Sequence, residues 1–270
     1  MTDNNAQAII DTATRATEPH QLGPDELLHS IVVPAGGQHT IVDLEKYGDN
    51  PRRKTGVVHA HDADSFAKYV TKHQLDETEI WADEANTRVV AVINAHAPKA
   101  AGWRDHRALL AVRKTDAWKA WAALDGKPLD QVTFAEHIED RAVDIVRPTG
   151  AEMLELAQSF QAKAGVEFES SKRLSSGESQ LLFKETVSAT AGQRGQLDIP
   201  HLIDLALVPF QGAPAYKVTA RFRYRINGGR LVLSYHLERP EDVLREAFAN
   251  VVSDIAERVD PLQVFMGWPE

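Results

Sequence analysis

Two histidines placed two residues apart form the part of this chain that most resembles a metal site. In VVHAHDADSFAKYV, residues 57–70, His59 and His61 follow two valines, and Asp62 and Asp64 come next. Alternate side chains of a strand point to the same side, so both imidazoles could bind one ion. A catalytic zinc site takes three protein ligands and an open position. The motif therefore supplies part of a metal-dependent hydrolase site, and distant residues would have to complete it.

The distant candidates do not lie in a recognisable metal motif. They are His96, His106, His201 and His236. A metallo-hydrolase of the HxHxDH type needs Asp at position 63 and His at position 64, where this chain has Ala63 and Asp64. The simpler interpretation is that Asp62 or Asp64 caps the helix that follows, a contact typically worth ~1 kcal/mol. We expect this capping, and we expect no metal at His59 and His61.

A second set of chemically capable residues lies on one strand, in KVTARFRYRI. Because strand side chains alternate, the basic residues share one face with Thr219, and the aromatic and aliphatic residues share the other. The basic set is Lys217, Arg221, Arg223 and Arg225, and the apolar set is Tyr216, Val218, Phe222, Tyr224 and Ile226. We expect the basic set to face outward and Tyr216, Val218, Phe222 and Tyr224 to be buried. Asn227-Gly228 is a strong hairpin signal, and a two-residue turn there would place Arg225 opposite Arg230 and Thr219 opposite His236.

The basic set has three interpretations that the sequence leaves open. Its members could bind phosphates, or they could pair with carboxylates of another subunit. They could also form the solvated outer face of a half-buried sheet. The candidate interface or phosphate-binding residues are Lys217, Arg221, Arg223, Arg225 and Arg230.

Composition narrows the function classes further. The 270 residues carry a formal net charge of −9, which disfavours nucleic acid as a partner unless basic residues cluster. There is no cysteine, which excludes disulfides, thiolate metal sites and cysteine nucleophiles. The sequence contains no P-loop, GxGxxG, GxSxG or kinase motif. We therefore expect no cofactor, no catalytic residue and no membrane partner, and a cytoplasmic location.

Hydrophobic periodicity and turn signals predict a mixture of helices and antiparallel hairpins. We expect helices at 7–16, 64–73, 115–124, from Thr133, from Thr149 to about Lys163, and after Arg239. Thr133 with Glu136 and Thr149 with Glu152 match the capping-box pattern. Trp118 and Trp121 share one helix face and are expected to pack in a core or an interface. The buried stripes of the last three helices are predicted to be Phe134, Ile138, Ala142 and Ile145, then Met153, Leu156, Ala157 and Phe160, and then Leu244, Phe248, Val251, Val252 and Ile255. Predicted hairpins lie at 30–44, 79–94, 166–189 and 213–237, with further strands at 55–60, 104–112 and 201–208.

These elements lack a regular βαβ alternation, which predicts an α+β fold with largely antiparallel sheets. We expect one large or two-lobed body, with an N-terminal arm at 1–23, an α+β lobe at 24–147 and a second at 148–270 that carries the long hairpins and the C-terminal helix. The arm has few large apolar residues, so it needs a partner surface to be ordered.

The C-terminal half also resembles a known family. The run ALVPFQGAPAYKVTARFRYRINGGRLVLSYHLERPEDVLREAF, with SFAKYV and the terminal VFMGWP, resembles the YfdQ-like family of phage and prophage proteins, a domain family of unknown function. The resemblance implies a phage or prophage gene product in the bacterial cytoplasm. It implies no catalytic residue.

Three functional hypotheses follow. The first is a non-enzymatic phage protein that associates with itself into a ring or closed shell. The second is a nucleic-acid-binding accessory factor in phage replication or recombination. The third is a metal-dependent hydrolase that uses His59 and His61.

Overall fold

The computed structural model describes residues 3–18, 20–21, 28–33, 38–173, 179–190, 198–227 and 230–269. Its α-helices are α1 (Asp3–Thr17), α2 (Ala63–His73), α3 (Asp116–Leu124), α4 (Gln131–Asp140), α5 (Gly150–Ser159) and α6 (Pro240–Arg258). Short 3-10 helices occupy Glu45–Tyr47 and Ala142–Asp144.

The strands form four sheets. Their bounds are β1 (His20–Gln21), β2 (Leu28–Val33), β3 (Gln38–Asp43), β4 (Gly56–Ala60), β5 (Glu79–Asp83), β6 (Arg88–Val92), β7 (His106–Ala111), β8 (Ile145–Arg147), β9 (Gln161–Arg173), β10 (Ser179–Thr190), β11 (Leu202–Leu207), β12 (Tyr216–Asn227), β13 (Arg230–Leu237) and β14 (Val264–Met266). The sheet orders are β1-β2-β3, β10-β9, β13-β12-β11-β8 and β14-β5-β6-β7-β4. The pairs β2-β3, β5-β6, β9-β10 and β12-β13 are antiparallel hairpins, and β14 runs parallel to β5. The predicted α+β class is confirmed.

The chain divides into two compact units, residues 1–56 and residues 57–270. The first unit holds α1 and the antiparallel sheet β1-β2-β3. Its hairpin β2-β3 confirms the one predicted at 30–44. Every α1 position from 5 to 15 is exposed. The predicted arm at 1–23 and the lobes at 24–147 and 148–270 stay predictions.

Within the second unit, one hydrophobic core joins the five-stranded sheet to α2 and α6. Phe66 and Val70 of α2 meet Phe248 and Ile255 of α6 and Ile80 of β5 in this core. The predicted apolar stripe of α6 is confirmed, because Phe248 and Ile255 are buried and its other members are partly buried against the same cluster. The last helix of the chain therefore completes a core whose strands β5, β6 and β7 lie more than a hundred residues earlier.

A second core joins the four-stranded sheet to α3, α4 and α5. Trp118 and Trp121, three residues apart on α3, are both buried there, as expected for core residues. Tyr235 of β13 donates a hydrogen bond of 2.7 Å from its hydroxyl to the carbonyl oxygen of Trp121. Burial raises the pKa of Tyr235 and lowers the pKa of the neighbouring His137. These polar rings are thus kept uncharged inside the core.

The starting point of α4 differs from the prediction. Asp130 is the N-cap, and its carboxylate accepts hydrogen bonds of 2.9 Å from the amide and 3.0 Å from the hydroxyl of Thr133. The predicted capping box at Thr133 and Glu136 is wrong, because an equally good cap stands three residues earlier. The predicted stripe also runs past the end of α4, since Ala142 and Ile145 lie in a 3-10 turn and in β8.

The capping box at Thr149 and Glu152 is confirmed at the start of α5. The predicted end near Lys163 is wrong, because α5 ends at Ser159 and the chain enters β9 at Gln161. The four residues expected to point inward, Met153, Leu156, Ala157 and Phe160, are all buried.

Candidate interaction surface

The predicted two-faced strand is present as β12. Lys217, Arg221, Arg223 and Arg225 are exposed, whereas Val218 and Phe222 are buried in the second core. Tyr216 and Tyr224 were also expected to be buried, and they are half-buried. Helices α3, α4 and α5 cover the apolar face of the sheet, and the basic face lies on the opposite side.

The register of the hairpin β12-β13 differs from the predicted one by two residues. Asn227 pairs with Arg230, and Arg221 pairs with His236. The predicted pairs, Arg225 with Arg230 and Thr219 with His236, are wrong. Because side chains alternate with a period of two, a shift by two residues leaves each residue on its predicted face. Arg230 therefore stays at the end of the basic face.

Two of the five basic residues form ion pairs with carboxylates on the same surface of the sheet. Lys217 Nζ lies 3.0 Å from Asp204 Oδ2, and hydrogen bonds from Lys217 and Thr219 keep the pKa of Asp204 below its usual value. Arg221 Nε lies 2.5 Å from Glu238 Oε1. These pairs are largely exposed, so each contributes little to stability. They demonstrate that the face accepts carboxylates.

The other three basic residues take no part in these two ion pairs. Among the side chains that the structure describes, none forms an ion pair with Arg223, Arg225 or Arg230. Over the part of the chain that the structure describes, the five cations thus pair with two carboxylates, those of Asp204 and Glu238. In a chain of net charge −9, this is a local excess of positive charge. We call this surface of β11, β12 and β13 the basic face.

A groove of about 660 Å³ runs along the basic face. Its walls include Lys217, Arg221, Arg223, His236 and Arg239. The groove can hold anionic groups, because guanidinium groups bind carboxylates and phosphates through paired N–H donors. Its chemistry does not distinguish a protein carboxylate from a phosphate.

The histidine motif occupies the end of β4. His59 and His61 are both exposed. Asp62 is the N-cap of α2 and accepts hydrogen bonds of 2.7 Å from the Ser65 amide and 2.9 Å from the Ser65 hydroxyl, so the expected capping is confirmed. Over the described parts of the chain, no three His, Cys, Asp or Glu residues are grouped so as to hold a metal ion.

The same motif borders a cleft that sequence reasoning missed. The cleft has a volume of about 450 Å³ and lies between the start of α2, the end of β7, the 211–214 loop and α6. Arg258 spans its rim, with ion pairs of 2.9 Å to Asp254 and 3.1 Å to Asp64. Leu110 and Ala247 contribute to its apolar wall. No signal in the sequence could have found it, because its four segments meet only in the fold.

A family model described as "Uncharacterized conserved protein (DUF2303)" matches residues 3–269. The chain belongs to this family. Neither a curated protein nor a solved structure matches the DUF2303 chain. Within the described residues, no helix is long and apolar enough to cross a membrane.

Proposed function

We propose that this DUF2303 protein is a non-enzymatic, self-associating protein that forms a homo-oligomer, a ring or a closed shell, through its basic face. The observation that carries the proposal is the charge of that face. Five aligned basic side chains stand exposed on one sheet of a chain whose net charge is −9. A second copy of such a chain is rich in carboxylates, and complementary charge steers and orients protein association.

The resemblance to the YfdQ-like family adds a biological setting to this proposal. We place the protein among phage or prophage gene products that act in the bacterial cytoplasm. The phage assignment rests on the overall sequence similarity of the run that contains β12 and β13, and on the terminal VFMGWP. Expression from a bacterial host with its neighbouring genes, followed by fractionation, would test the location directly.

The direct test of self-association reverses the charge of the basic face. We expect the wild-type protein to be oligomeric at micromolar concentration in size-exclusion chromatography with light scattering. Arg223→Glu combined with Arg225→Glu should weaken the oligomer by at least about tenfold, since like charges across a contact cost several kcal/mol. Both residues are exposed, so the fold should persist by circular dichroism.

A matched control separates the basic face from the general effect of charge. Lys72→Glu combined with Lys99→Glu changes the net charge by the same amount at exposed positions outside the basic face. We expect this variant to assemble like the wild-type protein. A wild-type protein that is monomeric at micromolar concentration contradicts the proposal, and so does a basic-face variant that assembles as well as the control.

Nucleic-acid binding is a second candidate function, as an accessory factor in phage replication or recombination. The observation that favours it is the groove lined by Arg221, Arg223 and Arg239. Fluorescence anisotropy with single- and double-stranded DNA and with RNA tests it at low salt. Binding through phosphates should weaken steeply as salt rises and should be lost in the Arg223→Glu, Arg225→Glu variant. No binding at low salt excludes this candidate.

A further inference from the structure

The four-stranded sheet and the helices that cover it form two layers whose outer surfaces carry opposite charge. Phe134 of α4 packs against Phe222 of β12 with ring centroids 5.5 Å apart, so the helices cover the inner face of the sheet. The basic face looks away from this layer of helices. The outer surface of α4 and α5 therefore points in the opposite direction from the basic face.

That outer surface is acidic. The exposed charged residues of α4 and α5 are Glu136, Glu139, Asp140, Glu152 and Glu155. Neither helix contains a lysine or an arginine. Five carboxylates on the helices thus face away from five cations on the sheet that these helices cover. We call the exposed side of α4 and α5 the acidic face.

Exposed apolar side chains distinguish the acidic face from an ordinary solvated surface. Val132 is 67% exposed and Val143 is 92% exposed. Val132, Glu136 and Asp140 follow one another at intervals of four on α4, so they lie on one side of the helix, and Val143 comes one short turn later. A partner that covers these valines removes apolar surface from water, which stabilises the complex.

The basic face has the same mixed character. Leu202 of β11 is 50% exposed and pairs with Arg221 across the strands. Each outer surface thus combines exposed apolar side chains with an excess of charge, and the two excesses are opposite in sign. Protein interfaces likewise combine apolar contacts with polar and charged groups.

We propose that the acidic face of one copy docks on the basic face of the next copy, so that the oligomer is built head to tail. This inference rests on the proposed self-association and names its partner surface. A two-fold contact between basic faces would oppose five cations to five cations, which electrostatics disfavours. A head-to-tail contact repeats, and it gives a ring when the rotation closes and a filament when it does not.

A charge-swap experiment tests the contact. The helix variant carries Glu139→Lys and Asp140→Lys, and the sheet variant carries Arg223→Glu and Arg225→Glu. We expect each variant alone to lose association by at least about tenfold in analytical ultracentrifugation. A chain that carries all four changes should recover most of the lost association, because both partners then have reversed charge. Equimolar mixing of the two variants should also restore complexes.

The controls make each outcome decisive. Asp76→Lys combined with Glu77→Lys adds the same charge in the turn after α2, and it should assemble like the wild-type protein. Loss of assembly in the sheet variant with full assembly in the helix variant overturns the head-to-tail contact and leaves the proposed function standing. Failure of the four-change chain to recover, with both single variants weakened, also overturns the direct contact. A monomeric wild-type protein overturns both proposals.

Discussion

Asp62 illustrates how one local contact accounts for a residue that looked catalytic. Its carboxylate holds the first turn of α2 through the amide and hydroxyl of Ser65. These hydrogen bonds keep the pKa of Asp62 below its usual value of 3.8. The cap could be predicted from the sequence, because it depends only on residues three apart. The cleft beside it could not, because Asp254 and Arg258 approach it from the other end of the chain.

Replacement of Asp62 should test this role through its pH dependence. We expect Asp62→Ala to lower the free energy of unfolding by about 1 kcal/mol at pH 7, as for other N-caps. Because the folded state lowers the pKa, the cap contributes above pH 3.8 and is lost as the pH falls through the lowered value. The difference between variant and wild type should therefore shrink in acid, measured by urea unfolding at several pH values.

The neighbouring histidines provide the control for that measurement. His59 and His61 are exposed, so replacing both with alanine should change stability by no more than about 0.5 kcal/mol and leave assembly intact. A loss of stability equal to that of Asp62→Ala, or a difference that persists unchanged at pH 3, would contradict the capping role.

At the scale of elements, the sequence predicted which face of a strand is buried better than it predicted strand registers and helix ends. The alternation in KVTARFRYRI identified the buried Val218 and Phe222, because burial on one face follows directly from strand geometry. The register of β12-β13 was missed by two residues, since a shift of two preserves that alternation and leaves no trace in the pattern. The start of α4 was missed because two adequate caps, Asp130 and Thr133, compete within three residues.

Gly150 at the start of α5 offers a test of packing between elements. A Cβ atom placed there would lie 2.4 Å from the carbonyl oxygen and 2.9 Å from the Cβ of Ala142. Helix propensity alone predicts that Gly150→Ala stabilises the protein by roughly 0.5–1 kcal/mol. We expect the opposite, a loss of about 1–3 kcal/mol from overpacking, because the first clash is with backbone. Thermal unfolding measures whether the variant is less or more stable than the wild type. A stabilised variant would show that the turn at Ala142–Asp144 moves to make room for the added methyl group.

At the scale of the whole molecule, the partners of each element could not be predicted. The stripe of α6 was recognised from its periodicity, but a stripe does not specify which sheet it covers. The helix follows β13 of the second core in sequence, yet Phe248 and Ile255 pack with Phe66 and Ile80 of the first core. The placement of the acidic face opposite the basic face could not be predicted for the same reason, since α4 and β12 lie about 90 residues apart in sequence.

Helix α1 exposes its side chains to solvent in the single chain. Its positions 5–15 are all exposed, with Ile9 at 70% and Ile10 at 57%. An isolated helix of this length is marginal in water, so a surface of a neighbouring copy is the expected source of its order. Deleting residues 1–23 should therefore weaken assembly and leave the α+β body folded.

A milder variant keeps the chain length and isolates the two isoleucines. Because both are exposed in the single chain, Ile9→Ser with Ile10→Ser should leave the stability of the isolated subunit within about 0.5 kcal/mol of the wild-type value. We expect it to weaken the oligomer by about tenfold or more, since two isoleucines would lose apolar burial on the neighbouring copy. Leu75→Ser, at a residue 47% exposed elsewhere, is the matched control. Light scattering reports assembly and circular dichroism the fold, and a variant that assembles like the control would remove α1 from the interface.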